Sequence, residues 1–462
     1  MAVDIVVKNC KIVSPEGITP EGVAIKGGKI VAIGNDAYLP EADKTIDARG
    51  KYVLPGIIDV HVHYGVYHPY EEEVHDMSAG AFAGTTTAGC YVGVGASAHK
   101  GSYGEVFDKW KETWEKNAVI DCFFHGGMLS QTNIDEVEEN AKQHGITTYK
   151  ILMTCKGDEA ALIGGDPADD GFLWAAFKSI ARLGKAGRLH LHAEDIEIIA
   201  RILPAIRATG RQDLAAWAEA RPGYCETLDV TRAIALAKVT GCPIYFVHIH
   251  YPDSVEVIAK AKSEGIDVIA ETCPQYLVLN SSSDVSPPLA RIAPPLRDEA
   301  SNNAMWQAIR DGVITCMGSD HCSTTTAMSK DLWTAPQGAP GLETLLPIML
   351  SEGVNKGRIT IEKLVEVLCY NNAKTFGIYP QKGTIQVGSD ADLVIVDLEK
   401  KVKLSAGKQH YAISDYCLYE GWEVKGWPVL TMLRGNIVVE DGKKMAKPGI
   451  GKYIPRTLLP VS

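Results

Sequence analysis

Hydrophobic and polar residues alternate in short runs at both ends of the chain. Before residue 53 such runs occupy residues 4–7, 23–26, 29–33 and 44–47, and Gly, Pro and Asn separate them. This pattern is typical of antiparallel β-structure. The same pattern returns after about residue 380, in residues 383–397 and 429–440. We therefore expect residues 1–52 and 380–462 to form one small β-sandwich domain built from both termini.

The middle of the chain has a different pattern, in which apolar strands follow amphipathic helical segments. The predicted helices cover residues 172–186, 230–240, 254–264 and 302–311. The strands that follow them cover residues 189–192, 243–248, 267–271 and 314–317. Repeated units of this kind imply a parallel sheet, and so many in one segment favour a barrel. We expect an α/β fold, with a (β/α)8 TIM-like barrel over residues 53–379.

Composition and charge restrict the class of protein without identifying it. The chain has 462 residues and a formal net charge of −11, which argues against nucleic acid or an anionic membrane as the main partner. It has no apolar run long enough to cross a membrane, and its amino terminus does not resemble a signal peptide. Eleven dispersed cysteines without a Cys-x-x-Cys pair suit reduced, buried thiols. We expect a cytoplasmic protein. Residues 443–462 contain Lys and Pro and predict a tail that either packs on a neighbour or frays.

Histidines occur in pairs at the ends of predicted strands. An apolar strand ends in His61 and His63, whose i, i+2 spacing puts both imidazoles on one side of the strand. Two imidazoles on one side of a strand end can form the first half of a metal site. Two later strands end in similar pairs, which are His190 with His192 and His248 with His250.

Two further ionisable residues lie in or directly after apolar segments. Lys150 lies within residues 147–153, where a buried ammonium costs several kcal/mol unless it is neutralised, paired or modified. Asp320 follows the apolar strand at residues 314–317. Each residue alone has an ordinary structural explanation, such as a lysine that extends to the barrel rim. Together, each at its own strand terminus, they predict a metal site where a barrel places its active site.

The order of these residues resembles the amidohydrolase superfamily, in the cyclic-amidohydrolase branch that holds hydantoinase/dihydropyrimidinase, allantoinase and dihydroorotase. The matching pattern is Asp59-x-His61-x-His63, Lys150, His192-Ala-Glu, Val-His248 and Ser-Asp320-His. The resemblance covers essentially the whole chain. Further segments that resemble the branch are Glu271-Thr-Cys-Pro-Gln-Tyr276, Ala293-Pro-Pro-Leu-Arg297, Gly341-Leu-Glu343, Asn372-Ala-Lys-Thr-Phe-Gly377 and Tyr419-Glu-Gly-Trp422.

The resemblance implies a site for two divalent metal ions, usually zinc. His61 and His63 would bind the first ion, and His192 and His248 the second. Lys150 would bridge both ions after its Nζ has gained a carboxylate from CO2. Asp320 would bind the first ion and also carry protons during catalysis. His190 and His250 match no ligand position, and we interpret them as supporting or structural residues.

The reaction that the resemblance implies is hydrolysis of a C–N bond in a cyclic amide or imide, as in the opening of hydantoin or dihydropyrimidine rings. A hydroxide bridging two metals would attack the ring carbonyl, and Asp320 would pass its proton to the leaving nitrogen. The partner is then a small cyclic amide rather than nucleic acid or a membrane. Because oligomers are common in this branch, we also expect a homo-oligomer, either a dimer or a tetramer.

The residues expected to contact the substrate depart from those of the relatives. Dihydroorotase-like proteins follow His-x-His with an arginine that holds the substrate carboxylate, and Tyr64 stands here instead. Hydantoinases usually have an oxyanion-binding tyrosine at the position of Cys155. Either another group such as Tyr64 supplies that contact, or the substrate differs, or Cys155 is a loop residue in a shifted alignment. Ala293 and Gln337 replace Ser and Asn in segments that present backbone amides to the ring.

Two alternatives within the same chemistry stay open, an allantoinase-like ureide hydrolase and a hydrolase of an unusual cyclic imide or lactam. A third alternative is a non-catalytic scaffold of the dihydropyrimidinase-related kind. Such scaffolds typically lack the metal ligands, whereas every ligand position is filled here. The sequence therefore disfavours the scaffold.

Overall fold

The computed structural model describes residues 2–157, 160 and 163–457 of the chain. Seven strands precede the barrel: β1 Val3–Lys8, β2 Lys11–Ser14, β3 Gly17–Thr19, β4 Gly22–Lys26, β5 Lys29–Gly34, β6 Ala42–Asp47 and β7 Tyr52–Pro55. Eight form the barrel: β8 Ile57–His63, β9 Thr85–Val92, β10 Asp121–Gly127, β11 Thr148–Leu152, β12 Arg188–His192, β13 Ile244–Phe246, β14 Val268–Thr272 and β15 Cys316–Met317. Four follow it: β16 Leu393–Lys403, β17 Glu423–Leu433, β18 Asn436–Glu440 and β19 Lys443–Lys444.

Helices separate the barrel strands and continue beyond the last one. Those within the barrel segment are α1 Tyr70–Met77, α2 Phe107–Asn117, α3 Gln131–Asp135, α4 Val137–His144, α5 Asp170–Ala181, α6 Ile196–Arg207, α7 Leu214–Ala220, α8 Gly223–Thr240, α9 Pro252–Ser263, α10 Gln275–Val278 and α11 Glu299–Arg310. Those after it are α12 Leu345–Ile348, α13 Ile361–Val365 and α14 Asn371–Thr375, with π-helical turns at Met349–Asn355 and Glu366–Tyr370. No helix in the described part of the chain is long and apolar enough to cross a membrane.

The predicted barrel is confirmed. Strands β8 to β15 pair in chain order, and all their pairings are parallel. The ring closes where the His63 N–H donates to the carbonyl oxygen of His321 at 2.9 Å, next to a parallel bridge between Val62 and His321. Strands β9 and β10 are buried along their whole length, as expected for parallel strands covered on both faces. All eight strands therefore end on one side of the molecule.

The two ends of the chain form two sheets that pack against each other. One has the order β5-β4-β1-β6, and the other has the order β19-β18-β17-β16-β7-β2-β3. Val7 and Ile25 from the first sheet share one apolar cluster with Val53 and Leu393 from the second. The expectation of purely antiparallel pairing was wrong, because β1 pairs with β6, and β2 with β7, in parallel. The division into domains at residues 52/53 and 379/380 stays a prediction.

The carboxyl-terminal segment packs on the barrel of its own chain as far as it is described. The Ile454 N–H donates to the Cys122 carbonyl oxygen at 2.7 Å, and the Cys122 N–H donates to Lys452 at 2.9 Å. The guanidinium of Arg456 is buried and donates to Thr148 and to the Phe124 carbonyl oxygen. The segment thus covers the amino-terminal half of β10. Residues 458–462, at the end of the predicted tail, lie outside the described residues.

A buried ion cluster joins the terminal sheets to the barrel. The Lys382 Nζ lies 2.6 Å from Asp121, 3.0 Å from Asp390 and 2.6 Å from Asp392. Burial lowers the pKa of Lys382, but the three carboxylates raise it above its usual value overall. Since Asp121 begins β10, the cluster lies at the amino-terminal end of the barrel, opposite the strand ends that carry the predicted ligands.

We expect Lys382→Met to lower the free energy of unfolding by roughly 3–5 kcal/mol, because it leaves buried carboxylates without their central cation. Lys29→Met is the matched control, because Lys29 is half exposed. Its Nζ lies 2.7 Å from the Asp390 Oδ1, on the solvent side of the cluster. That change should cost less than about 1 kcal/mol. Urea unfolding of both variants checks the prediction, and equal losses would show that burial of the cluster does not matter.

Candidate metal centre

A cavity of about 600 Å³ opens at the carboxyl ends of the barrel strands. Five of the six predicted ligands line it, namely His63, Lys150, His192, His248 and Asp320. The sixth, His61, is fully buried next to them. The barrel therefore brings all six predicted ligands together, although they come from five different strand ends.

His61, His63 and Asp320 form the first cluster of ligand atoms. The Asp320 Oδ1 lies 3.0 Å from the His61 Nε2 and 3.2 Å from the His63 Nε2. One ligand atom from each of the three residues lies within 4.8 Å of the other two, which is close enough to hold one ion. The spacing of His61 and His63 along β8 produces this geometry, because alternate residues of a strand face the same side.

His192 and His248 form the second cluster. The His192 Nδ1 lies 3.0 Å from the His248 Nε2. His248 and Asp320 both have positive φ angles, of 41° and 54°, in the left-handed region that non-glycine residues rarely adopt. Such a backbone costs on the order of 1–3 kcal/mol and persists only where the surroundings impose it. His248 lies two residues beyond the end of β13, Asp320 lies three residues beyond the end of β15, and both side chains line the cavity.

Lys150 lies beside the first of these clusters. Its side chain is buried, and its Nζ lies 2.9 Å from the His61 Nε2 and 4.3 Å from the centroid of the Tyr91 ring. Burial lowers the pKa of the Lys150 amine, although Asp320 and Glu271 act in the opposite direction. The neutral form of the amine is therefore more accessible here than on a surface lysine.

Two buried carboxylates lie behind the histidines. The His61 Nδ1 lies 2.7 Å from Glu271, which also accepts a hydrogen bond from the Tyr245 hydroxyl at 2.7 Å. The His192 Nε2 lies 2.9 Å from Glu194. Because an ionised carboxylate only accepts hydrogen bonds, each histidine donates to its glutamate and turns the other ring nitrogen towards the centre. The glutamates thus select the tautomers that a metal requires.

Charge pairing keeps the carboxylates of Glu194 and Asp320 ionised. Arg221 donates to Glu194 through its Nε at 3.1 Å and its Nη2 at 2.6 Å. Burial raises the pKa of Glu194, but Arg221 and His192 together bring it down to about 2. Burial likewise raises the pKa of Asp320, whereas His61 and His63 hold it well below its usual value. Glu194 and Asp320 are therefore anionic at neutral pH.

The arrangement fits divalent metal ions. The His61 Nε2 and the Asp320 Oδ1 present lone pairs to each other at 3.0 Å, and these repel unless a proton or a cation lies between them. Neutral imidazoles and a carboxylate are ligands that zinc prefers. The fit rests on the orientation of the ligand atoms, which the buried glutamates impose.

Sequence reasoning missed the roles of Glu194 and Glu271. Glu194 is the glutamate of the His192-Ala-Glu motif, and Glu271 is the first residue of the segment at residues 271–276. An acidic residue at a barrel strand end, close to histidines at neighbouring strand ends, was the signal that could have revealed them. The histidines interpreted as supporting residues contact other groups: the His190 Nδ1 is 2.5 Å from the Tyr91 hydroxyl, and the His250 Nδ1 is 3.3 Å from the Pro295 carbonyl oxygen.

The four predicted substrate contacts divide into two groups. Ala293 and Gln337 line the cavity. Among the described lining residues, neither Tyr64 nor Cys155 is present. Tyr64 is fully buried with its ring centroid 4.7 Å from that of Tyr70, because strand alternation turns it away from His63. The Cys155 thiol instead donates to the Asp166 carbonyl oxygen at 3.4 Å.

Tyr67 lines the cavity and was not predicted from the sequence. Its hydroxyl oxygen accepts a hydrogen bond from the Gln337 N–H at 3.1 Å. The loop that carries Tyr67 is held by Glu73, which accepts hydrogen bonds from the backbone N–H groups of Gly65, Tyr67 and His68. The phenol that reaches the cavity is therefore three residues beyond the tyrosine proposed from the sequence.

Comparison with known proteins gives one consistent result. The model of the amidohydrolase family matches residues 52–438. The chain is 38% identical to the L-hydantoinase of Paenarthrobacter aurescens over 98% of both proteins. It is 35% identical to the D-hydantoinase of Ralstonia pickettii over 98% of this chain and 99% of that protein. The solved structure of an L-hydantoinase (dihydropyrimidinase) from Arthrobacter aurescens superposes with a TM-score of 0.91 at 36% identity, covering 98% of this chain and 100% of that one.

We expect Glu194→Gln to weaken zinc binding by roughly 10- to 100-fold, because the His192 tautomer loses its charged acceptor. Glu197→Gln is the matched control, since Glu197 lies on the exposed first turn of α6 and pairs with Lys156. Competition with a chromogenic chelator measures the affinity, and circular dichroism checks the fold. Unchanged zinc affinity in a folded Glu194→Gln protein would contradict the claim that Glu194 fixes the His192 tautomer for metal binding.

Proposed function

The chain belongs to the amidohydrolase family, and on that basis we propose that it hydrolyses a C–N bond in a cyclic amide or imide, opening hydantoin- or dihydropyrimidine-like rings. The observation that carries this proposal is the convergence of six ligand side chains at a cavity of about 600 Å³. A cavity of that size suits a small ring with a substituent. The full-length similarity to hydantoinases supports the choice of a ring amide.

Two divalent ions, for which we propose zinc, would be held by two ligand sets. His61, His63 and Asp320 would hold one ion, and His192 and His248 would hold the other. We further propose that Lys150 gains a carboxylate: its neutral amine attacks CO2, an N–C bond forms and a proton is released. The lowered pKa of the buried amine supports this step. The product is an anionic oxygen ligand between the two sets of histidines.

Bound divalent ions supply hydroxide near neutral pH and polarise a carbonyl oxygen. The protein's own part is proton transfer and positioning. The Asp320 carboxylate stays ionised, so it accepts the proton released as oxygen adds to the ring carbonyl. It then delivers that proton to the ring nitrogen as the C–N bond breaks. In a ring substrate the leaving nitrogen stays attached, so one open-chain product forms.

Ala293 and Gln337 are proposed to lie beside the ring, where backbone groups of their segments contact its amide. For Tyr64 and Cys155 we propose no such contact, since both lie outside the cavity lining formed by the described residues.

We also propose that the protein forms a homo-oligomer, either a dimer or a tetramer. Size measurements in solution test this proposal. A reducing compartment such as the cytoplasm is proposed because all eleven cysteines are buried thiols.

A substrate screen tests the proposed reaction. The zinc-loaded protein is incubated with hydantoins, dihydrouracil, allantoin, dihydroorotate, cyclic imides and lactams. We expect ring opening of at least one hydantoin or dihydropyrimidine, seen as an N-carbamoyl product by mass spectrometry. Exclusive turnover of allantoin or of an imide would favour one of the alternatives. No turnover of any ring by the fully loaded protein would contradict the proposal.

We expect Lys150→Ala to lose one of the two zinc ions and at least about 10³-fold in rate, because the anionic ligand shared by both ions disappears. Lys156→Ala is the matched control, since Lys156 lies a few residues later and pairs with the exposed Glu197. Metal content after gel filtration and initial rates check both variants. Two tightly bound ions in the Lys150→Ala protein would defeat the bridging role.

A further inference from the structure

Tyr67 lines the cavity with a phenol that has no part in the hydrolysis described above. Its hydroxyl oxygen accepts a hydrogen bond from the Gln337 N–H at 3.1 Å, so the hydroxyl proton points elsewhere. Among the residues that the structure describes, no acceptor for that proton lies within hydrogen-bond distance. The phenol is thus held through its oxygen, and its proton is available to a ligand.

The loop that carries Tyr67 is fixed at both of its sides. The Glu73 carboxylate accepts hydrogen bonds from three backbone N–H groups within residues 65–68. On the other side, the Gln337 N–H holds the tip of the phenol. A donor that is fixed before the substrate arrives needs little reorganisation during the reaction, which is the condition for strong stabilisation of a developing charge.

The phenol lies close to the segment that carries Asp320. A Cβ at position 338 would lie 2.6 Å from the Cys322 Sγ and 4.0 Å from the Tyr67 Cε2. The thiol and the phenol ring therefore flank the same glycine, and Cys322 is only two residues beyond Asp320. Burial raises the pKa of Tyr67, and Asp320 acts in the same direction. The phenol therefore stays protonated at neutral pH, on the side of the cavity where the proposed proton carrier lies.

Addition of oxygen to a ring carbonyl produces an oxyanion, which calls for a donor in the cavity. Cys155 is poorly suited to this role, because a thiol is a weak donor and this one donates to the Asp166 carbonyl oxygen at 3.4 Å. Thr154 and Thr334 also line the cavity. A phenol is more acidic than an aliphatic hydroxyl, so it is the stronger donor to an anion.

We propose that the Tyr67 hydroxyl donates a hydrogen bond to the ring carbonyl oxygen as that oxygen gains negative charge. This inference rests on the proposed function and adds a catalytic residue to it. The phenol keeps its proton throughout. The hydrogen bond strengthens while the carbonyl carbon becomes tetrahedral, and it weakens again when the C–N bond breaks and the carbonyl forms anew.

The substitution Tyr67→Phe removes the donor and keeps the ring. With a ring that the wild-type protein opens, we expect kcat to fall on the order of 100-fold, with little change in KM, because the hydrogen bond gains its strength in the transition state. Zinc content should equal that of the wild-type protein. Steady-state kinetics and metal analysis check these expectations.

Tyr64→Phe is the matched control, because it makes the same change three residues earlier. Tyr64 is fully buried, and its hydroxyl has no hydrogen-bond partner within the described part of the chain. Loss of such a hydroxyl should leave kcat and KM unchanged.

A second measurement separates an oxyanion donor from a structural role of the same hydroxyl. The inhibitor is a ring in which a phosphinate replaces the reacting carbonyl, because its tetrahedral anionic centre resembles the intermediate. We expect Tyr67→Phe to raise the Ki of this inhibitor by about the factor by which it lowers kcat/KM. If the hydroxyl only positioned Gln337, its loss would weaken binding of the planar substrate as much as binding of the inhibitor.

The possible results are separable. An unchanged kcat in the zinc-loaded Tyr67→Phe protein would overturn this inference and leave the proposed function standing. An increase in KM alone, or equal weakening of substrate and inhibitor, would also overturn it. So would an equal loss of rate in Tyr64→Phe. If the zinc-loaded wild-type protein opened no ring at all, the proposed function itself would fail, and this inference with it.

Discussion

Glu194 and Glu271 impose the constraint on which the centre depends, because each only accepts hydrogen bonds. His192 and His61 must donate to them, so the other nitrogen of each ring faces inward as a lone pair. The carboxylate of Asp320 also faces inward, 3.0 Å from the His61 Nε2. Such a concentration of acceptors is unfavourable alone and favourable around cations. The glutamates therefore prepare a metal site.

The barrel holds the inward-facing ligand atoms in fixed positions. Its parallel strands bring residues from distant parts of the chain to one end, and the positive φ angles of His248 and Asp320 show that packing holds the strand ends in costly conformations. At the opposite end, Lys382 and three aspartates connect the barrel to the terminal sheets. The stabilising ion cluster and the candidate metal centre thus lie at opposite ends of the same barrel.

The barrel and the convergence of the six predicted ligands were predictable because both depend on periodicity. Strand alternation puts His61 and His63 on one face, and each further ligand lies at or near the end of an apolar strand. The cavity wall was less predictable, because loops form it. Tyr67 enters through a loop anchored by Glu73, and Arg291 is held by Ala335, 44 residues away in the chain. No local pattern encodes such contacts, which is why Tyr64 and Cys155 were proposed instead.

Anomalous diffraction at the zinc absorption edge, from crystals of the zinc-loaded protein, tests the central claim most directly. We expect two zinc peaks. One should lie beside the Nε2 atoms of His61 and His63, and the other beside the Nδ1 of His192 and the Nε2 of His248. Electron density for a carboxylate on the Lys150 Nζ should lie between them. A single peak, or zinc bound elsewhere with an unmodified Lys150, would contradict it.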